Sequence, residues 1–243
     1  MKKILKKSEN STTEPDLTAG DFSSWLRHAR SSLIDENGTD LDCGKCTACC
    51  SSSLFIHIRP EETATFSRIH PDIPVAAPGR PKGHVLLGYD RDGICPMLID
   101  GKCSIYEQRP LTCRNYDCRI FAAAGITAGD EDKARINQRI RCWKFNYPTG
   151  RDRDEHLAVQ AAAKFIREHA ECFPGGKIPG DPSQLAIIAI KVYDVFLKID
   201  GGSAKTGRAS EDTEAAKAIV EACRNFDARI PASIVMPREV LKK

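Results

Sequence analysis

No stretch of this chain reaches the roughly 18 consecutive apolar residues that a membrane-spanning helix requires, so no span is expected. Neither sign of charge dominates. Against 36 lysines and arginines stand 33 aspartates and glutamates, a formal net charge of +3. Such a balance excludes attraction of the whole surface to nucleic acid or an anionic membrane. No Ser-His-Asp set, phosphate-binding glycine loop or HExxH motif occurs, so the common hydrolase, nucleotide-binding and zinc-protease chemistries have no residues to rest on. The basic start, Met1–Lys7, passes directly into the polar run Ser8–Thr13 and lacks the apolar core of a signal peptide. A cytoplasmic location is therefore expected. At 41% hydrophobic and 28% charged, the composition is that of a folded protein, and 243 residues can bury a core without covalent staples.

What the chain does have is cysteine: eleven, an odd number. A disulfide scaffold of this length would carry many more, and in a reducing compartment grouped thiols point to metal ligation or redox chemistry. Cys43, Cys46, Cys49 and Cys50 fall within eight residues, and Cys95, Cys103, Cys113 and Cys118 form a second group. Cys172 and Cys223 read as buried, inert thiols. Cys142, beside Trp143, is ambiguous.

The pattern predicts an α+β protein: a small cysteine-rich core with short strands, then a helical C-terminal part. Residues 1–19 read as a disordered tail, 20–147 as a metal-binding domain with an N-terminal helix, and 148–243 as helices packing on that core. In the first helix Asp21 can act as the cap, and Phe22, Trp25, Leu26, Ala29 and Leu33 make a core-facing stripe that ends before Asn37-Gly38. Strands are expected at Leu54–Ile58 and His84–Tyr89. A helix from Pro60 to about Ile69 should lie between them, followed by an irregular stretch over 71–83 with four prolines. Asp100-Gly101 signals a hairpin between 97–99 and 103–105. Short helical turns are expected at 104–107 and after Pro110. Further helices are expected over about 153–171, 183–199 and 210–227, the second opened by Asp181 as cap and Pro182.

Two-residue spacing in Cys43-Gly-Lys-Cys46-Thr-Ala-Cys49-Cys50 lets successive thiolates converge on one centre. Further on come Cys95-Pro-Met-Leu and Gly-Lys-Cys103-Ser-Ile-Tyr-Glu-Gln-Arg-Pro-Leu-Thr-Cys113-Arg. In this order the two halves resemble the YkgJ-type CxxCxxCC cysteine-cluster family, a zinc- or iron-chelating domain, over roughly residues 40–120. The resemblance implies a metal-binding domain built on eight cysteines: Cys43, Cys46, Cys49, Cys50, Cys95, Cys103, Cys113 and Cys118. Some flagellin lysine methylases carry a similar cluster, for which an iron–sulfur centre is implied, but this chain shows no glycine-rich S-adenosylmethionine loop.

Two metals suit the set. Zinc takes four thiolates, and eight cysteines can make two such sites. Cys43, Cys46 and Cys49 also match the first three positions of a bacterial ferredoxin run, and Cys95-Pro96 supplies a remote Cys-Pro, which favours a [4Fe-4S] cluster. Adjacent side chains diverge, so Cys49 and Cys50 should differ in role. The expected grouping is Cys43, Cys46 and Cys49 with Cys95 at one centre, and Cys50 with Cys103, Cys113 and Cys118 at another or as a reactive thiol.

Weaker signals surround this motif. His57, His70 and His84 could each replace a thiolate but are more simply ordinary histidines. Tyr106, Arg109 and Arg114 could donate to sulfur or offset its charge. Lys133, Arg135, Arg139, Arg141 and Lys144, with Trp143 and Phe145, could meet a polyanion, but they read better as a solvated face. The functional expectation is a metal-binding protein with a redox or protein-modifying role. The alternative is a zinc-stabilised adaptor that binds a protein partner through its C-terminal helices. The sequence names no reaction and no oligomeric state.

Overall fold

The computed structural model describes residues 15–35, 38–39, 41–197 and 209–231. Residues 1–14 of the expected tail, Asn37 of the expected helix break, 198–199 of the expected helix end and the last twelve residues lie outside this range.

In chain order, strand β1 (Leu17–Asp21) leads directly into helix α1 (Phe22–Asp35), then a 3₁₀ turn at Cys49–Ser51 and strand β2 (Ile56–Ile58). Helix α2 (Thr63–Phe66), strands β3 (Val75–Ala76), β4 (Val85–Leu87), β5 (Leu98–Ile99) and β6 (Lys102–Cys103), and a 3₁₀ turn at Tyr106–Gln108 follow. Next come helices α3 (Leu111–Asn115), α4 (Arg119–Ala124) and α5 (Ala134–Cys142), strand β7 (Trp143–Asn146) and helix α6 (Gly150–Glu168). Short turns at Ala170–Cys172 and Pro174–Gly176 precede helices α7 (Pro182–Val192), α8 (Asp194–Leu197) and α9 (Ala209–Asp227). The α+β class and the helical C-terminal part are as the sequence indicates. Among the described residues, no helix is long and apolar enough to cross a membrane.

Two regions divide this chain. The helical body is built on one large apolar cluster to which α1, α4, α6, α7, α8 and α9 all contribute. The stripe of α1 is buried as expected, with Phe22, Trp25, Leu26 and Ala29 inside. Its destination differs from the expectation. The helix packs on α6 and α7 of the body, not on the cysteines. Phe22 meets Phe145 edge-on at 4.9 Å and stacks on His156 at 4.3 Å, and the Arg30 guanidinium donates to the Ile190 and Lys191 carbonyls at the end of α7.

The start of α1 is satisfied from α6 rather than by Asp21. Ser23 N–H donates to Asp152 Oδ1 at 3.0 Å, while Oδ2 of the same carboxylate accepts from Thr149 in a capping box that opens α6. These hydrogen bonds, the Thr149 hydroxyl first, hold the Asp152 carboxyl down at about 2. The expected tail is also shorter: Leu17–Asp21 pairs in parallel with β7, bulging between Thr18 and Gly20, and Ala19 is buried. Pairing between segments about 125 residues apart leaves no local mark.

The cysteine lobe has a far smaller core: Ile58, Ile69, Leu87, Met97 and Ile105. Its three-stranded sheet, in the order β2-β4-β3, is antiparallel, and β5 pairs with β6 across Asp100-Gly101. Both turn residues have positive φ, 49° and 72°, the signature of a two-residue type I′ hairpin. Helix α2 begins at Thr63 rather than Pro60, because Glu62 closes the preceding turn instead of joining the helix. Its Oε2 accepts from Arg59 N–H, and its Oε1 reaches Leu111 N–H of α3 at 2.6 Å. Helix α7 ends at Val192, and α8 begins separately at Asp194.

Candidate metal centre

The CxxCxxCC segment is shaped by short-range hydrogen bonds. Asp42 Oδ1 accepts from Gly44 N–H at 2.8 Å, and Cys46 N–H donates to the Cys43 carbonyl at 2.7 Å, so the chain turns tightly between the first two thiols. Tyr106 fixes this turn from outside. Its hydroxyl accepts from Cys43 N–H and donates to Asp42 Oδ1 at 3.0 Å, while the Arg109 guanidinium lies 4.1 Å over its ring. Next, Ser51 and Ser52 donate back to the Thr47 and Ala48 carbonyls, forming the 3₁₀ turn that holds Cys49 and Cys50. With three residues per turn, successive side chains there point about 120° apart. The two adjacent thiols therefore face different neighbours, as the sequence implied.

Those neighbours do not follow the expected grouping throughout. Cys49 sits with Cys118 in an apolar cluster formed by Phe121, Ile136 and Ile140. Cys95 and Cys103 pack against the lobe core of Ile58, Leu87, Met97 and Ile105. The Asp90 side chain, accepting from Asp92 and Ile94 N–H, turns the chain so that Cys95 N–H donates to the Cys50 carbonyl at 2.7 Å. Gly93 is required in this turn: a Cβ there would come within 2.4 Å of the Ser53 hydroxyl. Cys95 thus sits beside Cys50, and Cys118 beside Cys49. The electrostatics couple the thiols across both groups: Cys43 and Cys46 act on Cys50 as well as on Cys49, and Cys103 acts on Cys43. Burial, then Cys95 and Cys103, push the Cys50 thiol up to about 12. Cys113 is raised by burial and then by Cys50, Cys95 and Cys103. Cys49 is raised well above the ordinary value by burial, then Cys118 and Cys46.

Cys43, Cys46, Cys49, Cys50, Cys95, Cys103 and Cys113 all line one cavity of about 500 Å³ with apolar walls that include Ile56, Leu87, Met97 and Ile105. Cys118 lies behind it, buried, and its sulfur accepts from the Trp143 indole N–H at 3.1 Å. Burial pushes that thiol up to about 11, opposed by the Trp143 hydrogen bond. Asp117, next in sequence, is 2% exposed; it accepts from Trp25 of α1 at 3.0 Å and pairs with Arg119 at 2.8 Å. Neither Trp143 nor Trp25 as a support for the eighth cysteine was legible, since both partners are remote in sequence.

None of the eleven cysteines is in a disulfide. Cys142 is buried, whereas Cys172 and Cys223 are only half-buried, not enclosed as expected. None of the three histidines near the motif lines the cavity. His70 is exposed, and His57 and His84 stack on each other, joined by a 2.9 Å ring-nitrogen hydrogen bond. Arg109 faces Cys43 and lowers its thiol against the larger effect of burial, while Arg114 is exposed. Of the basic segment, Arg135, Arg141 and Lys144 are exposed, as a solvated face requires, while Lys133 donates to the Ser52 carbonyl at 2.8 Å and Arg139 lies over Trp143.

Residues 42–142 match the model of the CxxCxxCC family, described as a "putative zinc- or iron-chelating domain". The match is less than half of the chain and runs past the cysteines to take in α4 and α5. No curated protein and no solved structure matches the chain.

Proposed function

We propose that the cysteine lobe holds two iron–sulfur centres of [4Fe-4S] type, each through four thiolates, and uses them in redox or protein-modifying chemistry on a protein partner in the cytoplasm. The sets are Cys43, Cys46, Cys49 and Cys118, and Cys50, Cys95, Cys103 and Cys113. The observation that carries this reading is the shared cavity of about 500 Å³. It brings seven of the eight thiols together, and the Cys43, Cys46 and Cys49 spacing, which matches the first three positions of a ferredoxin run, favours a cluster over zinc. Eight free thiols in two sets of four are the donor chemistry that thiolate-held clusters need.

Once bound, such a centre would supply one-electron transfer. The chain's own residues set its surroundings. Arg109 beside Cys43 places positive charge near the sulfurs, the Trp143 N–H donates to Cys118, and apolar walls limit water. Phe55, 61% exposed and paired with Tyr89 at 4.9 Å, lines the cavity and offers an apolar contact to a partner. The second reading, a zinc-stabilised adaptor, draws support from the size of the helical body.

Metal and acid-labile sulfide analysis of protein purified without oxygen separates the two. Iron and sulfide in equal amounts with broad visible absorption support the first. Zinc without sulfide rejects it in favour of the adaptor. Paired substitutions test the sets: Cys49→Ser with Cys118→Ser should remove one half of the metal, whereas Cys49→Ser with Cys95→Ser should remove both halves. The reverse pattern would reject this division.

A further inference from the structure

Far along the chain from the CxxCxxCC segment, three donors meet at the end of α6. His169 closes that helix, its N–H donating to the Phe165 carbonyl at 3.0 Å, and its ring stacks on Phe165 at 4.5 Å. Cys172 N–H donates to the His169 carbonyl at 3.0 Å in the following 3₁₀ turn, where side chains three apart eclipse. The turn therefore puts an imidazole and a thiol on the same side. Glu171 joins them: the ligating atoms of His169, Glu171 and Cys172 all lie within 4.8 Å of one another. Asp212, in the first turn of α9, stands outside that group and approaches the His169 ring at 3.8 Å.

His169 Nδ1 lies 3.8 Å from a carboxylate oxygen of Glu171, and Cys172 Sγ lies 4.0 Å from Glu171 Oε1. Bonds of about 2.0–2.3 Å to a tetrahedral zinc ion place ligand atoms about 3.3–3.6 Å apart. Binding one ion would draw these three donors in from separations of up to 4.8 Å. The His169 side chain is 20% exposed and that of Glu171 is 73% exposed, so one donor is withdrawn from water and another is free to swing in.

We propose that His169, Cys172 and Glu171 form a second metal site, for a single divalent ion of the zinc class, at the end of α6, with Asp212 of α9 beside the imidazole. One nitrogen, one sulfur and one carboxylate are a borderline donor set that suits zinc and cobalt over calcium or magnesium. The proposal does not rest on the cysteine centre: the residues lie outside 42–142 and belong to the helical body.

The test uses the full chain with its eight-cysteine centre already loaded, titrated with Zn²⁺ by calorimetry and with Co²⁺ by absorption. One further equivalent should bind per chain, and cobalt should show the visible bands of a tetrahedral ion and a sulfur-to-metal charge-transfer band. Cys172→Ser should abolish the charge-transfer band. His169→Asn and Glu171→Gln should each weaken binding at least tenfold, with the metal of the eight-cysteine centre unchanged. Should Cys172→Ser disturb the helices, Glu171→Gln at the exposed edge carries the test alone. An ion pair only, seen as no uptake beyond the loaded centre or as uptake equal in all variants, overturns the proposal.

Discussion

The helical body and the cysteine lobe solve the problem of staying folded in opposite ways. The body buries one continuous apolar cluster from six helices, with Phe22, Val159, Ala162, Ala186, Ile190 and Val192 at or near zero exposure. The lobe has strands of two or three residues, a helix of four and a core of five buried side chains. Burial on that scale is a weak source of stability. Its thiols are also held neutral by the burial that surrounds them, as the raised values of Cys50 and Cys118 show. Eight cysteines placed where apolar residues would otherwise pack make sense if a metal centre cross-links them.

The largest effect should come from removing the metal. Thiolate ligation contributes on the order of 10 kcal/mol to folding in small metal domains. Chelation should collapse hydrogen-exchange protection in β2, β4 and α3 while α6 and α7 keep theirs. Equal loss in both regions would erase the distinction drawn here. A cavity in the body comes next. Phe22 is fully buried, so Phe22→Ala should lower unfolding free energy by about 3–5 kcal/mol in a denaturant melt. Metal content should stay at the wild-type value, and its loss would mean the two regions are not separately held.

A smaller effect tests the place where they meet. Trp143 packs with the body and donates to the Cys118 sulfur. Trp143→Phe keeps the ring and removes the donor, a loss of about 1.5–3 kcal/mol when the sulfur is charged. It should lower metal affinity in a chelator competition by roughly ten- to a hundredfold. Unchanged affinity would free Cys118 from the ligand set.

The smallest effect is that of pH. Burial, then His84, Arg80 and Arg59, hold His57 below its ordinary value of 6.5, with Glu62 opposing. A depressed histidine takes up its proton in the unfolded chain first. Its contribution is therefore complete above 6.5 and is lost as pH falls below that value. The stability of the lobe should decline between pH 7 and pH 5 more steeply in the wild type than in His57→Gln. Parallel slopes would remove the His57–His84 pair as a cause.

Spacing made the first cluster legible, and residue periodicity made α1, α7 and α9 legible. A stripe such as Phe22, Trp25, Leu26 and Ala29 says which face is buried but not against what, so α1 was assigned to the wrong region. Partnership at a distance was equally hidden. The ferredoxin-like spacing left Cys95 open to either group, because spacing ignores the path of the chain that sets Cys95 beside Cys50 and Cys118 beside Cys49. That path depends on the Asp90 turn and on Trp25 holding Asp117, contacts 92 residues apart in the second case. Strand β1 was missed because Thr18 and Gly20 carry no strand pattern and its partner is β7.

The pairing of β1 with β7 has a topological consequence. The chain leaves the body after α1 and re-enters it at α4 and β7, so the cysteine lobe is an insertion whose two ends are both anchored. Drawing together the ends of a free segment of about 80 residues costs about 4 kcal/mol in its length-dependent part alone. Here the body has already closed that loop. A lobe stripped of its metal becomes a tethered ring rather than a loose tail, and reloading starts from a chain whose two groups of thiols are kept within reach of each other.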